Sequence, residues 1–502
     1  MNLLLLLDMA AAGRGDEVAV EAGGDRLTAG ELLTGAWAGA RILGEAPGLA
    51  FVGTNGLALP LGVFAAAAAG VPFVPLNYRL GHDQLHDLLV PLGDVLVVAE
   101  GAAAGALAGR GHRVLGPDEF VAACRADDGG DGATGPGEVP GESDHPAVLL
   151  HTSGTTSAPK AAVLRHRHLT SYVIGTVEYG GADPDEAVLV SVPPYHVAGL
   201  ANLLSNLYLG RRIVYLGQFD AGRWVEAVRR HRITHAMVVP TMLARIADVL
   251  AADGDDGGLP SLRALSYGGA RTPSGVLQRV MALLPDVDLT NAYGLTETSS
   301  TIAVLGPDDH RAARDGDPLA VARLASAGKV LPTVEVEVRG AGGPGEPGEI
   351  WVRGEQVSGE YAGRDAVVDA DGWFPTRDRG WLDDDGYLFI EGRSDDTIIR
   401  GGENIAPAEI EEVLLAHPDI DQCAVVGVPD DQWGEVIAAA VVLRSGATLS
   451  VDAVRDHARA RLRGSKTPDL VAFVDELPYT ETGKLLRRVV RDDLSRVGAR
   501  AT

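Results

Sequence analysis

Residues 149–164, LLHTSGTTSAPKAAVL, put an apolar run, a loop of small hydroxyl residues and glycine, a lysine and a second apolar run in immediate succession. The flanks ask for burial, and the loop between them must stay at a surface or a cleft. Thr152, Ser153, Gly154, Thr155, Thr156 and Ser157 offer short hydroxyls and bare backbone N–H groups, which are good donors to phosphate oxygens. Lys160 adds a point charge. The Walker A pattern G-x-x-x-x-G-K-[ST] cannot be aligned on the stretch. Composition alone would equally describe a polar surface turn.

The remainder predicts an α/β chain. Its 502 residues exceed one ordinary domain, and two or three are expected. A strand and loop are predicted at 48–57, strands at 71–76, 95–99, 114–115, 188–192 and 233–239, and a strand running into a glycine pair at 264–270; apolar strands alternating with helical stretches suit a layer of parallel strands. Residues 16–32 read as a hairpin leading into a helix, with Thr28 as N-cap and Glu31 completing a capping box. Residues 57–69 read as a small-residue helix closed by Gly70. Residues 3–7 are too short an apolar run for a signal segment or a membrane span and read as the start of an amphipathic helix. Residues 126–145, rich in Gly, Asp, Glu and Pro, read as an exposed loop. GAGGPG at 340–345 matches G-x-G-x-x-G, but it contains Pro344 and leads into a strand, so it reads as a hairpin loop and not a dinucleotide site.

A net charge of −26 argues against nucleic-acid and anionic-membrane partners, which need a basic footprint. Two cysteines, Cys124 and Cys423, exclude a disulfide scaffold and a multi-cysteine zinc site, and fit a reducing cytoplasm.

The order Thr-Ser-Gly-Thr-Thr-x-x-Pro-Lys resembles the phosphate loop of the adenylate-forming superfamily, which comprises acyl-CoA synthetases, carrier-loading adenylation domains and luciferases. Three more blocks follow in that family's order. LTNAYGLTETSS, at 289–300, resembles its [NQ]-x-Tyr-Gly-x-Thr-Glu motif. Residues 372–404 resemble its Thr-Gly-Asp, Gly-Arg-x-x-Asp and Gly-Gly-x-Asn segment, and residues 480–484 its Thr-Gly-Lys tail. The resemblance covers nearly the whole chain. It implies a large multi-layer N-terminal domain with parallel-rich sheets (1–394), a small mobile α+β C-terminal domain (395–502), and a hinge at Asp395. It also implies that Thr152–Thr156 and Lys160 hold ATP phosphates. Gly268, Gly269 and Ala270 border the adenine, with Asn291, Ala292, Tyr293 and Gly294 beside it. Thr296 donates to a phosphate, Glu297 holds Mg²⁺, Asp378 and Arg393 take the ribose or phosphate, and Lys484 bridges carboxylate and α-phosphate. His196, after Pro193-Pro194-Tyr195, would face the acyl substrate. The small residues Gly199, Ala201 and Asn202 would leave room for a bulky acid. Gly401, Gly402 and Glu403 belong to a loop that admits the pantetheine thiol of CoA.

The implied reaction joins a carboxylic acid to CoA through an acyl-adenylate, in a cytoplasmic enzyme and, by family habit, a homodimer. Three positions depart from the pattern: Ser157, Ala161 and Arg377 stand where the family has glycine. Strain at such positions costs on the order of 1–2 kcal/mol each, and about 1.4 kcal/mol is tenfold in rate. The expectation is therefore a retained thioesterification half and a weakened adenylation half, using a preformed acyl-adenylate from a separate adenylating enzyme. The alternatives are an ordinary complete two-step synthetase and an adenylation enzyme loading a carrier protein in trans. A non-catalytic adenylate sensor is opposed by the presence of Lys484 and Glu297. The sequence does not name the acid.

Overall fold

The computed structural model describes residues 1–126, 144–152, 160–254, 258–343, 345–430, 432–480 and 485–501. The loop expected at 126–145 lies almost wholly outside them.

Two sheets build the large part. In the first, Arg113–Leu115, Leu96–Ala99, Leu49–Val52, Phe73–Pro75 and Pro146–Thr152 run parallel, and Lys160–Arg165 closes the edge antiparallel to Pro146–Thr152. In the second, Val18–Ala22, Arg212–Tyr215, Ala187–Val190, His235–Val238, Ala264–Gly268 and Asp288–Leu295 run parallel. Beyond Asp288–Leu295 this sheet turns antiparallel through Ser300–Leu305, Gly328–Val330, Tyr387–Arg393, Phe374–Leu382, Gly348–Arg353 and Glu335–Arg339. The parallel-rich expectation holds for the alternating strand–helix region only. Once short turns replace helices between strands, as at 340–347, only antiparallel pairing is geometrically available.

Between the two sheets lie the helices Leu4–Arg14, Ala29–Leu43, Ala58–Ala69 and Val197–Leu209, sharing one apolar core with strands of both sheets. Ala58–Ala69 is buried on nearly every side, which its run of alanines permits and which a polar face would forbid. Gly70 ends it at φ 71°, a left-handed position where glycine is unstrained. Thr28 Oγ1 accepts from Glu31 N at 3.1 Å while Glu31 Oε2 accepts from Thr28 N at 2.8 Å, so the expected capping box forms. The apolar residues 3–7 serve the central helix layer, with Leu3, Leu4, Leu6 and Leu7 buried in the core.

The outer faces are covered by Ala221–His231, Pro240–Asp253 and Ser274–Leu283 on one side, and by His82–Leu89 and Gly101–Ala108 on the other. The third sheet is small: Glu403–Ile405, Ile398–Arg400, Gly434–Leu443, Ile420–Asp430 and Leu470–Phe473. It packs on the helices Pro407–Leu415 and Val451–Arg459 around its own core. Among the described residues no helix is long and apolar enough to cross a membrane. Both cysteines are buried, and neither is in a disulfide.

Candidate active site

The site grows from strand ends. Pro146–Thr152 and Lys160–Arg165 pair with Thr152 opposite Lys160, which fixes the two rims of the hydroxyl-rich loop. Ser153, Gly154, Thr155, Thr156 and Ser157 lie outside the described residues. Ala161 sits inside the second strand, opposite His151, and its carbonyl accepts from Ala362 N at 2.8 Å. It is not among the residues with positive φ. A methyl group costs no backbone strain in an extended strand, so the strain expected of a missing glycine does not arise at 161.

The second sheet supplies the other wall. Tyr267 and Gly268 pair with Asn291 and Ala292. A Cβ on Gly268 would stand 2.1 Å from Ala292 O, so two backbones crowding each other is reason enough for glycine there. Gly269 and Ala270 are exposed at the strand's end, and Asn291 Nδ2 donates to Ser326 O at 3.2 Å. Tyr293 O–H donates to Asp378 Oδ2 at 2.6 Å, and Arg393 Nε meets Asp378 Oδ1 at 2.8 Å. Asp378 and Arg393 face each other in register on neighbouring strands. Burial, reinforced by the Asp378 carboxylate, pushes the Tyr293 phenol well above its ordinary range, so it stays a donor. Asp378 is 5% exposed, and its two oxygens are already held by a tyrosine and an arginine.

Thr296 and Glu297 open the short turn Thr296–Thr298 at the end of Asp288–Leu295. Glu297 is buried, and its Oε1 accepts from Tyr361 O–H at 2.6 Å. Burial and then the Glu297 charge keep that phenol protonated. Lys160 Nζ lies 5.7 Å from the Tyr361 ring centroid. Tyr361 therefore joins the loop rim of the first sheet to the glutamate of the second. Neighbouring bonds fasten the same segment: Val163 N to Glu360 O at 3.0 Å, Ser358 N to Glu297 O at 2.8 Å, and the ion pair Arg165–Glu360 at 2.7 Å. Sequence reasoning missed Tyr361 and this segment. The available signal was a lone tyrosine among glycines and glutamates, GEQVSGEYAG, too common a pattern to single out.

A magnesium ion fits Glu297, a hard oxygen donor with a tyrosine holding its orientation. Among the described residues no cluster of three metal-ligating side chains occurs. The ion would thus complete its sphere from substrate phosphates and water, its usual habit.

His196 is the N-cap residue of Val197–Leu209 and packs on Tyr195 with ring centroids 4.6 Å apart. Burial lowers its pKa to about 4, so it is neutral at pH 7, and its Nε2 has no hydrogen-bond partner among the described residues. The room expected from Gly199 and Asn202 has another use. A Cβ on Gly199 would come within 3.0 Å of Pro193 O, and the Asn202 amide is bound to Ala198 O at 2.9 Å and Met237 Sδ at 3.1 Å. Gly199 accommodates the helix entry.

Gly401 and Gly402 take φ 57° and 86° between two paired strands, the conformation of a two-residue hairpin turn that glycine alone adopts without strain. Glu403 and Asn404 therefore belong to a strand and not to a loop. This hairpin rests on Trp433, whose carbonyl accepts from Gly401 N at 2.8 Å. Asp395 lies in the turn Ser394–Asp396 that links the second sheet to the third. An ion pair, Arg271–Glu412, crosses between the two parts. Lys484 lies outside the described residues.

The profile of the AMP-binding enzyme family matches residues 7–362, and that of the AMP-binding enzyme C-terminal domain matches residues 409–484. The chain belongs to this family. It is an acid–thiol ligase of the acyl-CoA synthetase type. It is 37% identical over 494 residues to feruloyl-CoA synthase of an Amycolatopsis species, covering 94% of this chain and 95% of that one. Indoleacetate–CoA ligase of Aromatoleum aromaticum is 33% identical, covering 90% and 89%. The solved o-succinylbenzoate CoA synthetase of Bacillus subtilis, in complex with its acyl-adenylate intermediate, superposes with a TM-score of 0.83 at 27% identity, covering 97% and 98%.

Proposed function

We propose that this ligase carries out both half-reactions, activating an aromatic carboxylic acid with Mg·ATP and passing the acyl group to CoA. The observation that carries the reading is the convergence of Lys160, Tyr361, Glu297, Tyr293, Asp378 and Arg393 about the two sheets, groups suited to the phosphates, the metal ion and the ribose of a nucleotide. The unstrained setting of Ala161 removes one of the three reasons to expect weak adenylation. The aromatic substrate class follows the relatives, whose names specify feruloyl, indoleacetyl and succinylbenzoyl groups.

In the first step a carboxylate oxygen bonds to the α-phosphorus and the α–β phosphoanhydride breaks, releasing pyrophosphate. Thr152, Thr296, Lys160 and the 153–157 loop steady the phosphates, Glu297 holds Mg²⁺, and Lys484 offsets the charge gathering on the transferring group. In the second step the CoA thiol sulfur bonds to the acyl carbon, the acyl C–O bond to AMP breaks and AMP leaves, and the thiol proton passes to solvent water. Asp395, at the start of the small domain (395–502), is the pivot that exchanges Lys484 for the 401–403 hairpin at the acyl group. His196, neutral and unprotonated, lines the acyl pocket without placing a charge in it.

Two assays over a panel of aromatic acids test this: free acid with Mg·ATP and CoA, and the synthetic acyl-adenylate with CoA. Acyl-CoA from both is the expected result. Product from the adenylate alone would overturn it and assign activation to a separate adenylating enzyme. Product only when a carrier protein replaces CoA would assign the carrier-loading role.

A further inference from the structure

Four non-glycine residues among those described have a positive φ: Arg232, Ser299, Ser300 and Arg377. Arg232 closes the helix Ala221–His231 in an ordinary left-handed cap. The other three sit at the active site. Ser299 and Ser300 follow Glu297 and are tied down, Ser299 Oγ donating to Gln356 O at 2.9 Å and Ser300 O accepting from Thr298 Oγ1 at 2.8 Å. Arg377 has φ 61° and an exposed side chain.

Arg377 is the apex of a built bulge. Glu349 pairs with Arg379 and Trp351 with Pro375, so residues 376–378 stand opposite Ile350 alone. Thr376 Oγ1 donates to Ile350 O at 2.7 Å and accepts from Asp378 N at 3.1 Å, which holds the bulge shut. The bulge turns Asp378 inward to Tyr293 and Arg377 outward. A glycine at 377 would serve this backbone without strain, so the backbone supplies no reason for an arginine. Strain kept at a binding site points to the side chain. Arg377 adjoins Asp378 on the bulge, and its charge reaches the Tyr361 phenol that binds Glu297 and carries Lys160 over its ring. Among the described residues it has no ion-pair or hydrogen-bond partner.

We propose that Arg377 binds the phosphates of the nucleotide whose ribose Asp378 holds, adding a guanidinium fork to the point charge of Lys160. The inference rests on the ligase reading of the same site. It reverses the sign expected from sequence, where Arg377 counted against nucleotide handling.

The test is calorimetric binding of ATP, AMP and adenosine to the parent and to Arg377→Gly, Arg377→Ala and Arg377→Lys, with Tm recorded for each. Loss of a charge-assisted contact should weaken ATP about tenfold or more in the Gly and Ala variants. Adenosine should bind all four proteins alike, Lys should retain part of the ATP affinity, and the Gly variant should melt no lower than the parent. An Arg377→Gly variant that binds ATP as tightly as the parent overturns the assignment, as does equal weakening of adenosine. A parent that binds no ATP overturns the ligase reading and the assignment with it.

Discussion

Asp378 and Glu297 show how this site spends its carboxylates. Each is buried, and each is oriented by a tyrosine O–H at 2.6 Å, Tyr293 for the first and Tyr361 for the second. A buried carboxylate is costly unless its oxygens are bonded, and a phenol kept protonated by burial is a neutral donor that leaves the negative charge available to a ligand. Arg393 neutralises Asp378 directly, whereas among the described residues the Glu297 carboxylate is bonded by the phenol alone, which suits it to a metal ion. Tyr361→Phe keeps the ring under Lys160 but frees Glu297. A hydrogen bond to a charged group contributes about 1.5–3 kcal/mol, so KM for Mg·ATP should rise roughly tenfold or more with KM for the acid unchanged. Steady-state kinetics in both substrates check this, and an equal rise in both constants would reduce Tyr361 to a structural residue.

The elements that matter are strand ends, and their close approach restricts side-chain size. Gly294 lies at the register shift between Asp288–Leu295 and Ser300–Leu305, and a Cβ there would stand 1.7 Å from Ser300 O. Gly294→Ala must push apart the strand that carries Tyr293 and the strand beyond it, which the turn bearing Glu297 joins. We expect a loss of about 3 kcal/mol or a little less, visible as a lower Tm, together with weakened ATP binding. An unchanged Tm would show that the turn Thr296–Thr298 relaxes freely. The segment 356–362 bonds to Lys160–Arg165 on one side and to Glu297 on the other, so the two sheets meet at the catalytic cleft through hydrogen bonds as well as through the shared helix layer.

For the whole molecule, the proposed two-step reaction requires the small sheet to move relative to the large ones. The direct chain link is Ser394–Asp396, and Arg271–Glu412 is a surface ion pair of the kind that contributes little, about 0–1 kcal/mol. Neither of these two features resists rotation strongly. Proline at 395 locks one backbone angle and should favour one arrangement over the other. Asp395→Pro is therefore expected to reduce the two half-reactions unequally, measured as pyrophosphate exchange for adenylation and as CoA consumption with synthetic adenylate for thioesterification. Equal losses would move the pivot elsewhere.

Local pattern was enough for much of this protein. The capping box at Thr28, the alanine helix ended by Gly70, the hairpin at 340–345 and the ordered blocks around Tyr293, Glu297, Asp378 and Arg393 are all short-range features, and short-range preferences are written in adjacent residues. The antiparallel half of the second sheet, the role of Tyr361 and the meaning of the missing glycines at 161 and 377 were decided by tertiary structure. A glycine's necessity depends on φ and on what a Cβ would strike, and both are set by distant strands. Ala161 falls in an extended strand and is harmless, while Arg377 falls on a bulge closed by Ile350 and is held at φ 61°. The same substitution of a glycine thus has opposite consequences at two positions, because backbone conformation is a property of the assembled sheets and not of the residue.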